Sequence, residues 1–165
     1  MRRRSGALVA MIVVMLLNVA AASATSSTVP NREVSGPFVG TTFYDFVTNG
    51  CNLVHQTLGG TYTAVHSQSG TFHLDLCPEF GANAGVVSAG AFTMIDRRGS
   101  TLAGTVTGTY DTTDPTSIVF AFTLHIASGT RAFRHIGGTI GVTGVWEFVG
   151  DPSPVSGTLV GSLDS

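Results

Sequence analysis

The chain has 165 residues, of which 11% are charged, and its 8 basic and 10 acidic residues give a formal net charge of −2. Three of the basic residues, Arg2, Arg3 and Arg4, lie in a segment that we expect to be removed, which leaves 5 basic and 10 acidic residues, a net charge of −5. This excess of acidic groups argues against nucleic acid and anionic membranes as partners.

The N-terminus has the three parts of a secretory signal peptide. The arginines at positions 2 to 4 are followed by an apolar run from Ala7 to Leu17 and then by the small residues Ala22-Ser23-Ala24. The apolar run is shorter than the roughly 20 residues that span a bilayer. We therefore predict a signal peptide over residues 1–24, cleaved after Ala24, and a secreted mature protein that is not inserted in a membrane.

A single domain is expected after the signal peptide. Residues 25–37 are rich in Ser, Thr and Pro and lack an apolar period, which indicates a flexible leader. The domain itself spans residues 38–165, a length that suffices for one hydrophobic core. From Phe38 onward apolar and polar residues alternate with a period of two, which is typical of half-buried β-strands.

The alternating segments predict β-strands and no helix. Asn49-Gly50 is typical of a tight hairpin turn, and Gly59-Gly60 is expected to turn the chain again, into residues 61–66. In the clearest alternation, Phe72, Leu74 and Leu76 face one side while His73 and Asp75 face the other. The predicted strands are residues 38–48, 51–57, 72–77, 86–95, 101–110, 117–126, 139–149 and 155–163.

The fold class that follows is all-β, an eight-stranded and mostly antiparallel up-and-down β-barrel. Closure removes the unpaired edges that would otherwise promote aggregation. A two-sheet β-sandwich built from the same strands is the alternative.

Cys51 and Cys77 are the only cysteines of the chain. An even number of cysteines in an exported protein favours a disulfide. A metal site is disfavoured because neither cysteine belongs to a C-x-x-C pair. We predict a Cys51–Cys77 disulfide.

Three segments carry patterns more specific than alternation. They are Phe43-Tyr44-Asp45-Phe46, then Gly99-Ser100-Thr101-Leu102 with Gly104, and then Gly129-Thr130-Arg131-Ala132-Phe133-Arg134 with Gly138. In this order they resemble the aromatic-His-Asp, Gly-Ser-Thr-Leu and Gly-Thr-Gly-x-Phe-Arg motifs of the allene oxide cyclase-like and dirigent-like barrels, a calycin-type group with secreted bacterial members. Tyr44 stands where that family has histidine, and Arg131 replaces a glycine.

The resemblance implies an eight-stranded barrel whose lumen binds a small apolar molecule. In the enzymes of that family the barrel guides a cyclisation or a radical coupling without a metal or an organic cofactor, so no cofactor is expected here. Asp45 matches a pocket aspartate that acts as an acid/base group, and Arg134 matches an arginine suited to hold a carboxylate or an oxyanion. The alternatives are a solvent-facing Asp45 and an Arg134 that pairs with an acid in its turn.

Aromatic residues are the predicted ligand contacts in the lumen, although in small barrels such residues often only fill the core. These candidates are Tyr44, Tyr62, Phe120, Phe122 and Trp146. The five histidines, at positions 55, 66, 73, 125 and 135, form no H-x-H or H-E-x-x-H motif. We expect them on the exterior and expect no metal site.

Two functions remain open from the sequence. One is a secreted barrel that binds a small apolar ligand, with a cofactor-independent cyclase or isomerase as its enzymatic form. The other is a non-enzymatic structural or protein-interaction module with a filled barrel. Bulky inward residues such as Phe72 and Phe120 favour a filled barrel, whereas small residues such as Gly90 and Gly104 favour a cavity.

Overall fold

The computed structural model describes residues 32–46, 50–64 and 69–164. The predicted signal peptide, residues 25–31 of the predicted leader, Asn49 and His66 lie outside the described residues. No helix in the described ranges is long and apolar enough to cross a membrane.

Eight antiparallel strands close into a barrel in which each strand pairs with its neighbours in the chain and the last strand pairs with the first. This confirms the predicted barrel and excludes the two-sheet sandwich. The strands are β1 (Arg32–Asp45), β2 (His55–Tyr62), β3 (Gly70–Phe80), β4 (Ala84–Asp96), β5 (Thr101–Asp111), β6 (Ser117–Gly129), β7 (Gly137–Glu147) and β8 (Ser153–Asp164). A single 3₁₀ turn, Arg131–Phe133, lies between β6 and β7.

The first strand begins earlier than the sequence predicted. Residues 32–37, expected to belong to the flexible leader, are part of β1 and pair with β8, with Val34 opposite Gly161 and Pro37 opposite Thr158. Val34 is buried in the core. Strand pairing with β8 and the burial of Val34 order this segment, although its composition is typical of a loop.

Gly59-Gly60 does not turn the chain, contrary to the prediction. Both residues lie within β2, where Gly60 pairs with Gly40 of β1 and with Phe72 of β3. A side chain on Gly60 would collide with the carbonyl oxygen of Val39. Glycine is needed at this position because the two strands approach closely, and not because the chain reverses.

The predicted tight turn at Asn49-Gly50 includes Asn49, which lies outside the described residues. Among the described residues the last pair of β1 and β2 is Asp45 with His55, and the connection between these strands includes Cys51. That connection reaches β3, where Cys51 forms the predicted disulfide with Cys77, with an S–S distance of 2.02 Å.

Aromatic rings fill the middle of the barrel. Phe38 packs against Phe72 with ring centroids 5.4 Å apart and against Phe120 at 6.3 Å. Glycines face these rings: a Cβ on Gly144 would lie 2.6 Å from Phe120, and one on Gly157 would lie 2.7 Å from Phe38. The remaining central cavity measures about 20 Å³, which is room for about one water molecule. The small inward residues therefore accommodate phenylalanines and leave no wide lumen.

The turn between β4 and β5 is stabilised by the carboxylate of Asp96 and by Arg131, which belongs to the third sequence motif. Asp96 Oδ1 accepts hydrogen bonds from the backbone N–H groups of Arg98 (2.8 Å) and Ser100 (2.7 Å). Arg131 Nη1 donates to the carbonyl oxygen of Arg98 at 2.6 Å. The arginine that replaces a glycine of the family motif thus joins the two loops.

We expect Asp96→Ala to lower the free energy of unfolding near pH 7 by about 1–2 kcal/mol, the usual effect of removing two such hydrogen bonds. Burial alone would raise the pKa of the Asp96 carboxyl, but the hydrogen bonds from Ser100 and Arg98 and the charge of Arg98 outweigh it and lower the pKa. The stabilisation is therefore present above about pH 4, the unfolded value, and is lost as the pH falls through the lower folded pKa.

Urea unfolding of the wild type and of Asp96→Ala at pH 7 and at pH 2 checks this prediction. The difference between the two proteins should shrink at the lower pH. A difference of the same size at both pH values would contradict a role for the ionised carboxylate.

Candidate functional site at the barrel mouth

The two ends of the barrel differ in the connections that form them. The connections after β1, β3, β5 and β7 meet at one end, which we call the mouth, and those after β2, β4 and β6 meet at the opposite end. An open cavity of about 520 Å³ lies at the mouth. This volume falls within the range of small-molecule sites.

Aromatic side chains from three strand ends form the walls of the cavity. They are Tyr44, Phe46, Phe80 and Trp146, and smaller contributions come from Val54, Ala82, Thr112 and Ile118. The rings of Tyr44 and Trp146 are stacked, with centroids 4.5 Å apart and planes at 17°. Because β8 separates β1 from β7, only closure of the barrel brings these two rings together.

A buried polar chain lies next to the cavity. Tyr110 donates from Oη to Gln56 Oε1 at 2.5 Å, Gln56 donates from Nε2 to Thr42 Oγ1 at 2.9 Å, and Thr42 Oγ1 donates to the carbonyl oxygen of Thr57 at 3.0 Å. The Tyr110 ring also packs against the ring of Phe80, a wall residue, with centroids 5.1 Å apart. This chain fixes the orientation of Tyr110 beside the cavity.

Three residues that line the cavity carry buried polar atoms without a hydrogen-bond partner. These atoms are Tyr44 Oη, Thr112 Oγ1 and Trp146 Nε1. Within the described residues only one other buried side-chain polar atom, Ser162 Oγ, is in the same situation. Burial, and then the neighbouring Tyr110, raise the pKa of Tyr44 above its usual value. Tyr44 is therefore a neutral phenol that can donate a hydrogen bond.

Of the predicted ligand contacts, only Tyr44 and Trp146 line the cavity at the mouth. Phe120 and Phe122 belong to the core and border the small central cavity. Tyr62 lies at the opposite end, where burial and then the negative charge of Asp96 raise its pKa to about 12.

The two predicted catalytic residues lie on different surfaces. Tyr44 packs against the core, and because side chains alternate along a strand, Asp45 lies on the outer face of β1 with the exposed Phe43. Arg134 is exposed at the opposite end, directly after the 3₁₀ turn whose Phe133 is buried. The structure therefore does not bring Asp45 and Arg134 together, and Phe133 rather than Arg134 is the inward residue of its segment.

The described histidines of β2 and β3 share the outer face with an aspartate. Asp75 is contacted by His55 Nε2 at 3.5 Å and by His73 Nε2 at 3.3 Å. On β6, His125 Nε2 lies 3.2 Å from Thr107 Oγ1. Within residues 32–46, 50–64 and 69–164 no group of three or more side chains is arranged to hold a metal ion.

The edge of the mouth is apolar and is surrounded by acidic residues. Phe46 is 78% exposed, Leu53 66% and Val149 68%, and we call these three residues the apolar rim. Exposed acidic side chains stand at the same end, at positions 79, 111, 114, 147 and 151, and the sequence of the four mouth connections contains no lysine or arginine. By contrast, Arg97, Arg98, Arg131 and Arg134 all lie in connections at the opposite end.

Sequence reasoning missed most of the cavity. Thr112, Phe80 and Ala82 lie in or beside connections, where alternation gives no signal. Gln56 did carry a signal, because it occupies an inward position of β2 in line with Leu58 and Tyr62. A polar residue in such a row indicates a buried hydrogen-bond network.

No protein-family model matches the chain, and no curated protein sequence matches it. The function is therefore inferred from the geometry of the site.

Proposed function

We propose that this protein is a secreted binding protein for a small apolar molecule, which it holds in the cavity at the barrel mouth. The observation that carries the proposal is the size and lining of that cavity, about 520 Å³ with four aromatic side chains in its wall. Sites of this kind bind small molecules by burying apolar surface and orient them with a few polar groups. The signal-peptide pattern and the disulfide support secretion, and the motif resemblance to ligand-binding barrels supports the same class of function.

Catalysis is not part of the proposal. Asp45 lies on the outer face of the barrel and Arg134 at the end opposite the cavity, so neither is placed to act on a molecule bound at the mouth. The neutral Tyr44 phenol belongs to the cavity, but a binding site needs it only as a hydrogen-bond donor.

The proposal is tested by filling the cavity. We expect wild-type protein to bind the neutral fluorescent probe N-phenyl-1-naphthylamine, and we expect Ala82→Trp to weaken that binding at least tenfold, because an indole at this position occupies space in the mouth. The measurement is a titration followed by the emission of the probe.

Ala121→Trp is the matched control. Ala121 is exposed on the outer face of β6, and the same substitution there leaves the cavity intact. Equal binding by Ala82→Trp and Ala121→Trp, or no binding by the wild type, would overturn the proposal.

A protein-interaction module is the second candidate, and the exposed apolar rim of Phe46, Leu53 and Val149 favours it. Leu53 and Val149 do not line the cavity, so the two candidates separate experimentally. A protein-interaction module keeps its partner in Ala82→Trp and loses it in Leu53→Ser. A ligand-binding protein loses its ligand in Ala82→Trp and keeps it in Leu53→Ser.

A further inference from the structure

We infer that the molecule bound at the mouth is neutral and flat and carries a hydrogen-bond acceptor, such as a ketone or ester carbonyl on an aromatic or conjugated frame. The inference rests on the proposed function and specifies the chemical class of ligand for the same cavity.

The acceptor is inferred from the unpartnered polar atoms. Tyr44 Oη, Thr112 Oγ1 and Trp146 Nε1 are withdrawn from solvent without a partner, and all three belong to residues that line one cavity. Indole N–H is a donor only, and a neutral phenol or a threonine hydroxyl donates as well. Buried polar groups are nearly always hydrogen-bonded, because an unmade hydrogen bond is unfavourable. Because the three atoms do not contact solvent in the open cavity, a ligand with acceptor atoms would reach them only after small side-chain rotations, and it would then supply the partners that they lack.

The flat shape is inferred from the ring geometry. Tyr44 and Trp146 stack nearly parallel, and the Phe148 ring lies edge-on to Trp146 at a centroid distance of 4.7 Å. The ring centroids of Phe80 and Tyr44 are 6.4 Å apart, and the two rings are tilted relative to each other. Rings with fixed orientations present flat faces and edges, which match a planar aromatic or conjugated frame better than a bulky aliphatic one.

Neutrality is inferred from the charges around the mouth. Glu79, Asp111, Asp114, Glu147 and Asp151 are all exposed at this end, and its connections supply no basic side chain. A carboxylate or phosphate in the cavity would face repulsion and would lose its hydration without an ion pair in return. Among the described residues no acidic side chain lines the cavity itself, so a cation would also lose its hydration there without forming an ion pair.

Three naphthalene derivatives of nearly equal size test the inference with the full mature chain. They are 2-acetylnaphthalene, 2-ethylnaphthalene, which lacks the carbonyl oxygen, and 2-naphthoate, which is an anion at neutral pH. Binding is followed by the emission of Trp146, the only tryptophan, and by calorimetry for variants that lack it. We expect the acetyl compound to bind roughly tenfold more tightly than the ethyl compound, as one or two hydrogen bonds would give, and the anion to bind most weakly.

The donors are tested by Tyr44→Phe, Thr112→Val and Trp146→Phe, each of which removes one polar atom and keeps most of the side-chain volume. In at least one of these variants the preference for the acetyl compound over the ethyl compound should fall several-fold, because a carbonyl oxygen accepts at most two hydrogen bonds and does not need all three donors. Tyr62→Phe, a substitution of a buried tyrosine at the opposite end, is the control and should leave this preference unchanged. Thermal unfolding verifies that each variant is folded.

The outcomes distinguish this inference from the proposed function. Equal or tighter binding of the ethyl compound, or tightest binding of the anion, would overturn the inference and leave a site for apolar molecules in place. A preference for the acetyl compound that survives all three substitutions would also overturn it, because other groups would then recognise the carbonyl. Failure of all three compounds to bind would overturn the proposed function as well.

Discussion

Replacing Phe38 with alanine is expected to lower the free energy of unfolding by about 3–5 kcal/mol, as for other large buried aromatic residues. Phe38 is 3% exposed and contacts the rings of Phe72 and Phe120. Its side chain occupies the space left by Gly144 and Gly157, and these glycines have no side chain to fill the cavity that the substitution creates. Equilibrium unfolding in urea, followed by circular dichroism, measures the loss.

Phe43→Ala is the matched control, because Phe43 lies on the same strand but on its outer face and is 51% exposed. We expect this substitution to change stability by less than about 1 kcal/mol, as is usual for surface positions. If the two substitutions had equal effects, the filled aromatic interior described above would be wrong.

Removal of the disulfide is expected to have the second large effect. Cys51 and Cys77 are separated by 26 residues, and a cross-link over such a loop stabilises a folded chain by about 3–4 kcal/mol. The double substitution Cys51→Ala with Cys77→Ala should lower the free energy of unfolding by about this amount. It should also weaken binding of N-phenyl-1-naphthylamine, because the disulfide anchors to β3 the connection that carries Phe46 and Val54 into the cavity wall.

Wild-type protein treated with dithiothreitol is the control for the disulfide, since reduction removes the same bond without a substitution. It should reproduce most of the loss of stability and of probe binding. Unchanged unfolding midpoints in both preparations would show that the bond does not hold this part of the barrel.

The sequence predicted the fold well because a small barrel is specified by alternation. Phe72, Leu74 and Leu76 face the interior as their spacing indicates, and Phe120 and Phe122 do the same on β6. The sequence predictions were wrong where glycine or proline is compatible with a strand as well as with a turn or loop. Gly59-Gly60 allows close strand approach rather than a turn, and residues 32–37 pair as a strand despite their loop-like composition.

The candidate site was predicted only in part, for a physical reason. Tyr44 and Trp146 are 102 positions apart in the printed sequence, yet both could be nominated as aromatic residues of the predicted lumen. Thr112 and Ala82 become wall residues only because four separate connections meet at one end of a closed barrel. Asp45 is the opposite case. The motif resemblance nominated it as a pocket residue, but it is the neighbouring Tyr44 that packs against the core.

The position of a bound apolar molecule distinguishes a site at the mouth from one inside the barrel. Nuclear Overhauser effects between 2-ethylnaphthalene and isotope-labelled protein would locate it. We predict contacts with the Trp146 indole and with the methyl groups of Val54, Ala82 and Ile118 at the mouth. Contacts with Leu58, Val142 and Leu159 around the central cavity, or with Ile95 at the opposite end, would contradict it.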